Sequence, residues 1–291
     1  MANLKEIRNR ISSVSSTMQI TSAMKMVSAA KLKKAQDAIT AMRPYSDKLT
    51  EILQNLSSTL EGDAGSVYAE QREVERALVV AITSNRGLAG AFNSNIIKEL
   101  IRLNQNELKG VAVSYMTIGK KANDFVSKEN TVQSNKSDLF DNISYDNVAV
   151  IAEELMALYA NNEFDKIILV YNSFKNAATQ IIKTEDFLPL KSIAQDPEAL
   201  QKQKDMDYIF EPSKEEIVEQ LIPKSLKMQL YKGVRDSWAS EHGARMTAMH
   251  KATDNATDLR DQLKLTYNKA RQASITNEIL EIVGGAEALN N

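Results

Sequence analysis

The segment SNRGLAGAFN (84–93) is the strongest candidate for ligand chemistry in the chain. It follows a predicted buried strand and opens a predicted helix, which is where phosphate-binding loops occur. Its glycines, Gly87 and Gly90, do not have the spacing of a G-x-G-x-x-G or Walker A loop. A tight turn that starts a helix accounts for both glycines without a ligand. We therefore favour the structural interpretation over nucleotide binding.

Other residue types that could perform chemistry are scarce or poorly spaced. The only histidines are His242 and His250. On a helix they stand two turns apart, which is not the spacing of a metal-binding pair. Cysteine is absent, which excludes thiolate zinc sites, cysteine nucleophiles and disulfides. No G-x-S-x-G signature occurs. The sequence predicts no catalytic residue, no metal site and no cofactor.

Composition places the chain among ordinary globular proteins. It has 291 residues, of which 43% are hydrophobic and 25% charged, and its net charge is −2. This balance gives no case for nucleic-acid binding by the chain as a whole. No apolar run approaches the roughly 18 residues that a membrane-spanning helix needs.

A coiled-coil seam is predicted along the N-terminal segment. Residues recur at alternating steps of three and four, which is the spacing of a heptad repeat. The seam occupies positions 4, 7, 11, 14, 18, 21, 25, 28, 32, 35, 39 and 42. Pro44 is predicted to kink or break this helix.

The seam becomes polar at Thr21, Lys25 and Ser28. There the apolar residues move to a neighbouring face, which consists of Ile20, Met24 and Val27. Two interpretations remain open. The helix could meet a second partner at this level, or the supercoil phase could shift locally.

A second long helix is predicted at the C-terminus. A capping box at 213–216 marks its start, and Gly284–Gly285 is predicted to end it. Its apolar stripe is predicted to include Met246, Met249, Ala256, Leu259, Leu263, Ala270 and Ala273. Pro223 marks a possible kink. Because both terminal helices are long, we expect them to pair as an antiparallel rod.

Methionines are concentrated in the two predicted helices. They are Met18, Met24 and Met26 in the first, with Met246 and Met249 in the second. Their spacing favours core packing over an adaptable binding surface.

Strands alternating with helices indicate an α/β sheet between the two terminal helices. Strands are predicted at 76–83, 111–118, 166–171, and 179–184 with 187–190, and helices at 90–104, after Gly119 and at 147–160. The predicted fold class is α/β, with a long antiparallel coiled coil and a central Rossmann-like domain. The predicted domains are an N-terminal coiled-coil helix at 1–61, a central α/β domain at 74–191 and a C-terminal coiled-coil helix at 208–291.

The N-terminal helix has an unusual charge pattern. Between Ile7 and Gln36 there is no acidic residue, while six basic residues occur. Such a stretch is typical of a mitochondrial transit peptide. It also suits a basic coiled-coil scaffold that binds anionic partners, although the lack of interleaved aromatic residues argues against nucleic acid.

Four blocks of the sequence resemble the gamma subunit of F-type ATP synthases. They are IRNRISSVSSTMQITSAMKMVSAAKLKKAQ (7–36), SNRGLAGAFN (84–93), YNSFKNAATQ (171–180) and the long block from ASEHGARMTAMHKATDNATD to EIVGGAEAL (239–289). They lie in family order. The resemblance implies an uncleaved bacterial subunit, which favours it over the transit-peptide interpretation.

The resemblance also implies a function and partners. The chain would be a non-catalytic central-stalk rotor, coupling proton-driven rotation of the membrane c-ring to ATP synthesis or hydrolysis in an alpha–beta hexamer. It would also regulate ATPase activity and proton flow, and carry the epsilon subunit. It would be a peripheral membrane protein on the cytoplasmic face of the bacterial inner membrane, with no nucleic-acid partner.

Seven residues match positions at which the family contacts the hexamer. The resemblance implies partner contacts at Met24, Lys25, Arg245, Arg271, Gln272, Thr276 and Glu278. The segment 279–289 resembles the tip that sits in an apolar bearing.

Overall fold

The computed structural model describes residues 4–59, 67–68, 70–190 and 214–290. The chain divides into two compact units. The helical unit comprises Met1–Ala29 and Arg245–Asn291, and the α/β unit comprises Ala30–Ala244. Helices α1 (Leu4–Thr59) and α5 (Lys214–Asn290) contribute residues to both units. The predicted start of the C-terminal helix at Ser213 lies outside the described residues.

In the described part of the α/β unit, five strands and three further α-helices pack with parts of α1 and α5. The strands are β1 (Arg76–Ile82), β2 (Ala112–Ile118), β3 (Thr131–Asn135), β4 (Lys166–Phe174) and β5 (Gln180–Leu188). The helices are α2 (Phe92–Gln105), α3 (Lys120–Val126) and α4 (Tyr145–Ala160), with a 3-10 helix at Ser137–Asp141.

The strands form one mixed sheet in the order β3-β2-β1-β4-β5. Strands β3, β2, β1 and β4 run parallel, and β5 is antiparallel to β4. This arrangement confirms the predicted α/β class. Sequence reasoning missed β3 because its sequence, TVQSN, has one large apolar residue and lies at the edge of the sheet. An edge strand is only half covered, so it carries little of the apolar signal that marks a central strand.

Both faces of the sheet are covered, which explains the continuous apolar run in β1. Leu78, Val80 and Ile82 lie in one buried cluster with residues of α4 and α5. The intervening Ala77 and Val79 lie in a second cluster with residues of α2 and α3. Successive side chains of a strand point to opposite faces, so a strand between two helical layers needs apolar residues at every position.

In the helical unit, α1 and α5 pair in antiparallel fashion. Arg8 contacts Tyr267, and Thr21 contacts Thr253, so the partner number falls as the α1 number rises. The covered side of α1 is the predicted heptad seam. The covered side of α5 has the same alternating spacing and consists of Met249, Thr253, Ala256, Arg260, Leu263, Tyr267, Ala270 and Ser274.

Two positions of the predicted α5 stripe are wrong. Leu259 and Ala273 are exposed, and the neighbouring Arg260 and Ser274 take the covered positions. At Arg260 the pattern misled because a long polar side chain can line a seam along its aliphatic part.

Proline and glycine do not end the long helices at the predicted places. Helix α1 continues through Pro44, so the predicted break is wrong. Buried residues on both sides, Met42 and Leu49, provide packing that offsets the roughly 3 kcal/mol cost of an internal proline.

Helix α5 continues through Gly284–Gly285 and ends at Asn290, so that predicted stop is also wrong. Glycine in a helix costs only about 1 kcal/mol relative to alanine, which lowers stability without forbidding the helix.

Among the described residues, no helix combines the length and apolar character needed to cross a membrane.

Candidate functional site

The loop at 84–93 uses its polar groups internally. The Ser84 amide donates to Asn93 Oδ1 at 3.0 Å, and the Ser84 hydroxyl donates to the Arg86 carbonyl at 2.6 Å. Ala89 and Phe92 are buried. Gly90 has a positive φ of 57°, a conformation that glycine adopts readily. These contacts make the loop a structural turn between β1 and α2.

The crevice where an open α/β sheet usually binds its ligand is occupied by α5. Ligands of such sheets bind beyond the carboxyl ends of the strands at the point where the strand order reverses, here between β1 and β4. The Ser240 hydroxyl of α5 donates to the Asn172 carbonyl at the end of β4, at 3.0 Å. Ala244 clusters with Ala89 and Phe92 of the loop after β1. The chain therefore fills this crevice with its own helix.

The polar positions of the seam remain buried in the helical unit. Thr21 is 8% exposed and Ser28 is 3% exposed. The Ser28 hydroxyl donates to the Met24 carbonyl of its own helix at 2.7 Å, and the Thr21 and Thr253 hydroxyl oxygens lie 2.8 Å apart. Since the covered side of α1 keeps its heptad spacing through this stretch, the interpretation of a shifted supercoil phase is wrong.

An apolar flank lies beside this polar stretch. It consists of Ile20, Met26 and Val27, whose exposed fractions are 60%, 65% and 57%. Met24 and Lys25 are half-buried next to it. An exposed apolar patch on a protein surface commonly marks a contact with a partner. Met249 is buried as predicted, but the exposure of Met26 shows that the methionines are not all core residues.

The predicted partner-contact residues fall in two sections of the helical unit. Counting one heptad from the Thr21–Thr253 pair along each helix puts Ser28 opposite Met246, so Arg245 lies in the same section as Met24 and Lys25. Arg245 is largely buried. The second section carries four exposed residues. They are Arg271, Gln272, Thr276 and Glu278.

Helix α5 also exposes a strip of large apolar residues towards its end. They are Ile275, Ile279, Leu280, Ile282 and Val283. The Arg8–Tyr267 contact lies close to the start of α1, so this strip extends past the first described turn of its partner helix. Sequence reasoning did not predict Met26 or Ile275 as exposed contact candidates. Both are large apolar residues that lie off the heptad seam, and that position could have marked them as exposed.

A paired-helix unit and an α/β unit with a self-filled crevice define a class of protein that acts through contacts with other proteins. Among the described residues, no group of histidine and carboxylate side chains is arranged to hold a metal ion. A family model described as ATP synthase matches residues 3–289. The chain belongs to the ATP synthase gamma chain family, whose members are non-catalytic subunits.

Curated relatives match over the whole chain. The ATP synthase gamma chain of Flavobacterium johnsoniae is 69% identical over 290 residues, covering 100% of both chains. The gamma chain of Christiangramia forsetii is 66% identical over 290 residues with the same coverage.

Solved structures show the same fold. A chain from the central stalk and c-ring of the Tetrahymena thermophila mitochondrial ATP synthase is 26% identical, with a TM-score of 0.59, and the match covers 80% of this chain and 99% of that one. A chain from the rotor of the Euglena gracilis mitochondrial ATP synthase is 23% identical, with a TM-score of 0.67 and coverage of 94% and 98%. Together with the gamma-chain relatives, these similarities show that this protein belongs to the central stalk of an ATP synthase.

Proposed function

We propose that this gamma chain rotates inside a hexamer of alpha and beta subunits and couples ring rotation to ATP synthesis and hydrolysis. The observation that carries this proposal is the asymmetry of the helical unit near Thr21. On α1 the surface has the apolar flank and no acidic residue between Ile7 and Gln36. On α5 the surface near Thr253 exposes Asp254, Asp258 and Asp261.

This asymmetry can change the state of a neighbouring subunit. A rotor shifts a conformational equilibrium only if its faces bind the two conformations with different free energies. A basic and apolar face on α1 and a face on α5 that carries aspartates beside Lys251 offer a surrounding subunit different contacts at each angle. Each beta subunit would therefore meet the flank, Met24 and Lys25 during one part of the cycle and the aspartates of α5 during another.

The remaining predicted contacts fit a second level of the hexamer. Arg271, Gln272, Thr276 and Glu278 are exposed, and the Thr276 hydroxyl donates only to the Gln272 carbonyl of its own helix among the hydrogen bonds of the described residues. Their charged and amide groups are available for polar contacts. The apolar strip from Ile275 to Val283 suits an apolar bearing, because exposed isoleucine and leucine side chains gain free energy when a partner covers them.

The α/β unit would contact other subunits of the complex. We assign to it contacts with the c-ring of the membrane sector and with the epsilon subunit. The description of the Tetrahymena relative as central stalk and c-ring supports the first assignment. Since the gamma-chain relatives are bacterial, we also propose a peripheral position on the cytoplasmic face of the inner membrane.

Reconstitution with purified subunits tests the proposal. We expect a tagged chain to copurify with alpha and beta subunits, to hydrolyse no ATP alone, and to raise the ATPase activity of the mixture. Failure to bind a nucleotide-binding hexamer would overturn it. Salt-sensitive binding of the chain to DNA or anionic vesicles, without hexamer binding, would instead favour the basic scaffold.

A further inference from the structure

Helix α5 approaches β4 very closely within the α/β unit. A Cβ atom added to Gly233 would lie 3.5 Å from the Tyr171 ring, and one added to Gly243 would lie 3.2 Å from the Ala177 Cα. The Gly243 distance is tighter than most side-chain contacts. Small residues on this side of α5 thus let the helix backbone lie directly against the end of β4 and the turn that follows it.

Hydrogen bonds connect the two elements at this place. The Ser173 hydroxyl donates to Asp236 Oδ2 at 2.9 Å, and the Ser240 hydroxyl donates to the Asn172 carbonyl at 3.0 Å. The Asn172 side-chain amide donates to the Phe92 carbonyl at 3.2 Å, which connects β4 to the start of α2. Ser240 and Asn172 are buried. The helix, the central sheet and the loop after β1 therefore share one network.

Elsewhere the contact between α5 and the sheet is largely apolar, with one further hydrogen bond from the Gln229 side-chain amide to the Asp186 carbonyl of β5 at 3.3 Å. Ile222, Leu226, Leu230 and Val234 belong to the large buried cluster on one face of the sheet. Apolar burial stabilises the contact but has no preferred direction, whereas hydrogen bonds depend strongly on angle and distance. The Ser173–Asp236 and Ser240–Asn172 bonds are therefore directional parts of the attachment, and both meet the end of β4.

We infer that Ser173, Asp236, Ser240 and Asn172 are positioning residues that fix the angle of the sheet about α5 and carry torque between them. We call these four residues the angular joint. This inference rests on the rotor function, since torque reaches the joint only if α5 is turned in the hexamer. Helix α5 is continuous from Lys214 to Asn290, so one helix contains both the joint and the predicted hexamer contacts.

Two attachment points for an optical probe can separate the joint from the rest of the rotor. The chain has no cysteine, so a single introduced cysteine labels one position. Lys109→Cys labels the loop before β2, and Lys232→Cys labels α5 itself; both lysines are exposed. Each cysteine substitution would be made in the otherwise unchanged chain and in the double variant Ser173→Ala/Ser240→Ala. The matched control, Ser12→Ala/Ser94→Ala, removes two exposed hydroxyls outside the joint.

The measurement is the angular variance of the probe in an immobilised complex with a stalled hexamer. In Ser173→Ala/Ser240→Ala we expect the variance at position 109 to rise about twofold, because two of the directional bonds are lost. The angular variance at position 232 and the rate of unloaded ATP hydrolysis should not change. The control variant should show the same variance as the unaltered chain at both positions. Asp236→Asn keeps an acceptor oxygen and should retain most of the stiffness.

Other outcomes contradict the inference in distinguishable ways. Unchanged angular variance at position 109, or an equal rise at positions 109 and 232, would overturn the angular joint. If both probes still rotate during ATP hydrolysis, the rotor function stands. If neither probe rotates in the unaltered complex, both proposals fail. If the double variant does not assemble, Ser173→Ala alone decides the question by the same comparison of positions.

Discussion

The hydroxyl oxygens of Thr21 and Thr253 lie 2.8 Å apart across the seam of the helical unit. Thr21 is also 3.1 Å from the Met18 carbonyl, and Thr253 is 2.8 Å from the Met249 carbonyl. One hydroxyl can donate to the other while the second hydroxyl's own bond is kept, so both groups are satisfied in either orientation. A matched polar pair in a coiled-coil seam favours one register, because a slip of one heptad that puts Thr21 opposite Met246 would leave its hydroxyl facing an apolar residue.

The first prediction concerns this pair. We expect Thr21→Val or Thr253→Val alone to lower the unfolding free energy by about 1 kcal/mol, since one hydroxyl then faces a methyl group. The double variant should recover much of the loss, because two apolar groups of similar shape pack well. Urea unfolding of the four chains measures the coupling. Strictly additive changes would show that the two hydroxyls do not interact.

The second prediction concerns coupling. Met24→Lys places another cation beside Lys25 in a stretch with no acidic residue, so we expect fewer protons pumped per ATP hydrolysed with little loss of assembly. ATP-driven pumping and hydrolysis in membrane vesicles give the ratio. Gln19→Lys, which adds the same charge at an exposed position on another side of α1, is the control. An unchanged ratio in Met24→Lys, or an equal loss in both variants, would contradict the role of Met24.

The third prediction concerns Gly119, which has a φ of +118° at the end of β2. A Cβ here would overlap the backbone carbonyl of Thr83. Gly119→Ala should therefore destabilise the chain by about 1–3 kcal/mol, from the strained φ and the displaced strand end. Gly110 also has a positive φ, but a Cβ there would meet no neighbouring atom. Gly110→Ala therefore measures the cost of the strained backbone alone. A larger loss in Gly110→Ala, measured by urea unfolding, would refute the overlap argument.

The fourth prediction concerns acid stability. Hydrogen bonds from Arg102 lower the pKa of Glu99 below its ordinary value of 4.5, and the Thr184 hydroxyl contributes. Because the unfolded chain then takes up this proton at a higher pH than the folded one, the carboxylate stabilises the fold above pH 4.5 and loses that effect as pH falls further.

Glu99→Gln should therefore flatten the dependence of stability on pH below this value. Thermal unfolding across an acidic pH series measures the slope. Glu107→Gln is the comparison, because Glu107 is an exposed carboxylate 3.1 Å from the same Arg102. Parallel pH curves for the unaltered chain and Glu99→Gln would exclude the proposed linkage.

The sequence by itself determined the paired helices, the central sheet and the family. A heptad spacing that persists from Leu4 to Met42 is a local pattern, and it marks the buried side of a helix whatever the partner is. The run in β1 was equally clear, because a strand covered on both faces must be apolar throughout. The seven predicted contact residues came from matched motifs and remain predictions.

Only the tertiary structure decided which alternatives are realised. Thr21 and Ser28 are buried although polar, because their hydroxyls find acceptors on the paired helices, and this leaves Ile20 and Val27 exposed. No local pattern distinguishes that outcome from a shifted seam, since it depends on the residue opposite. The occupation of the ligand crevice by α5 likewise depends on Asn172 and Ser240, which are 68 positions apart and meet only in the folded chain.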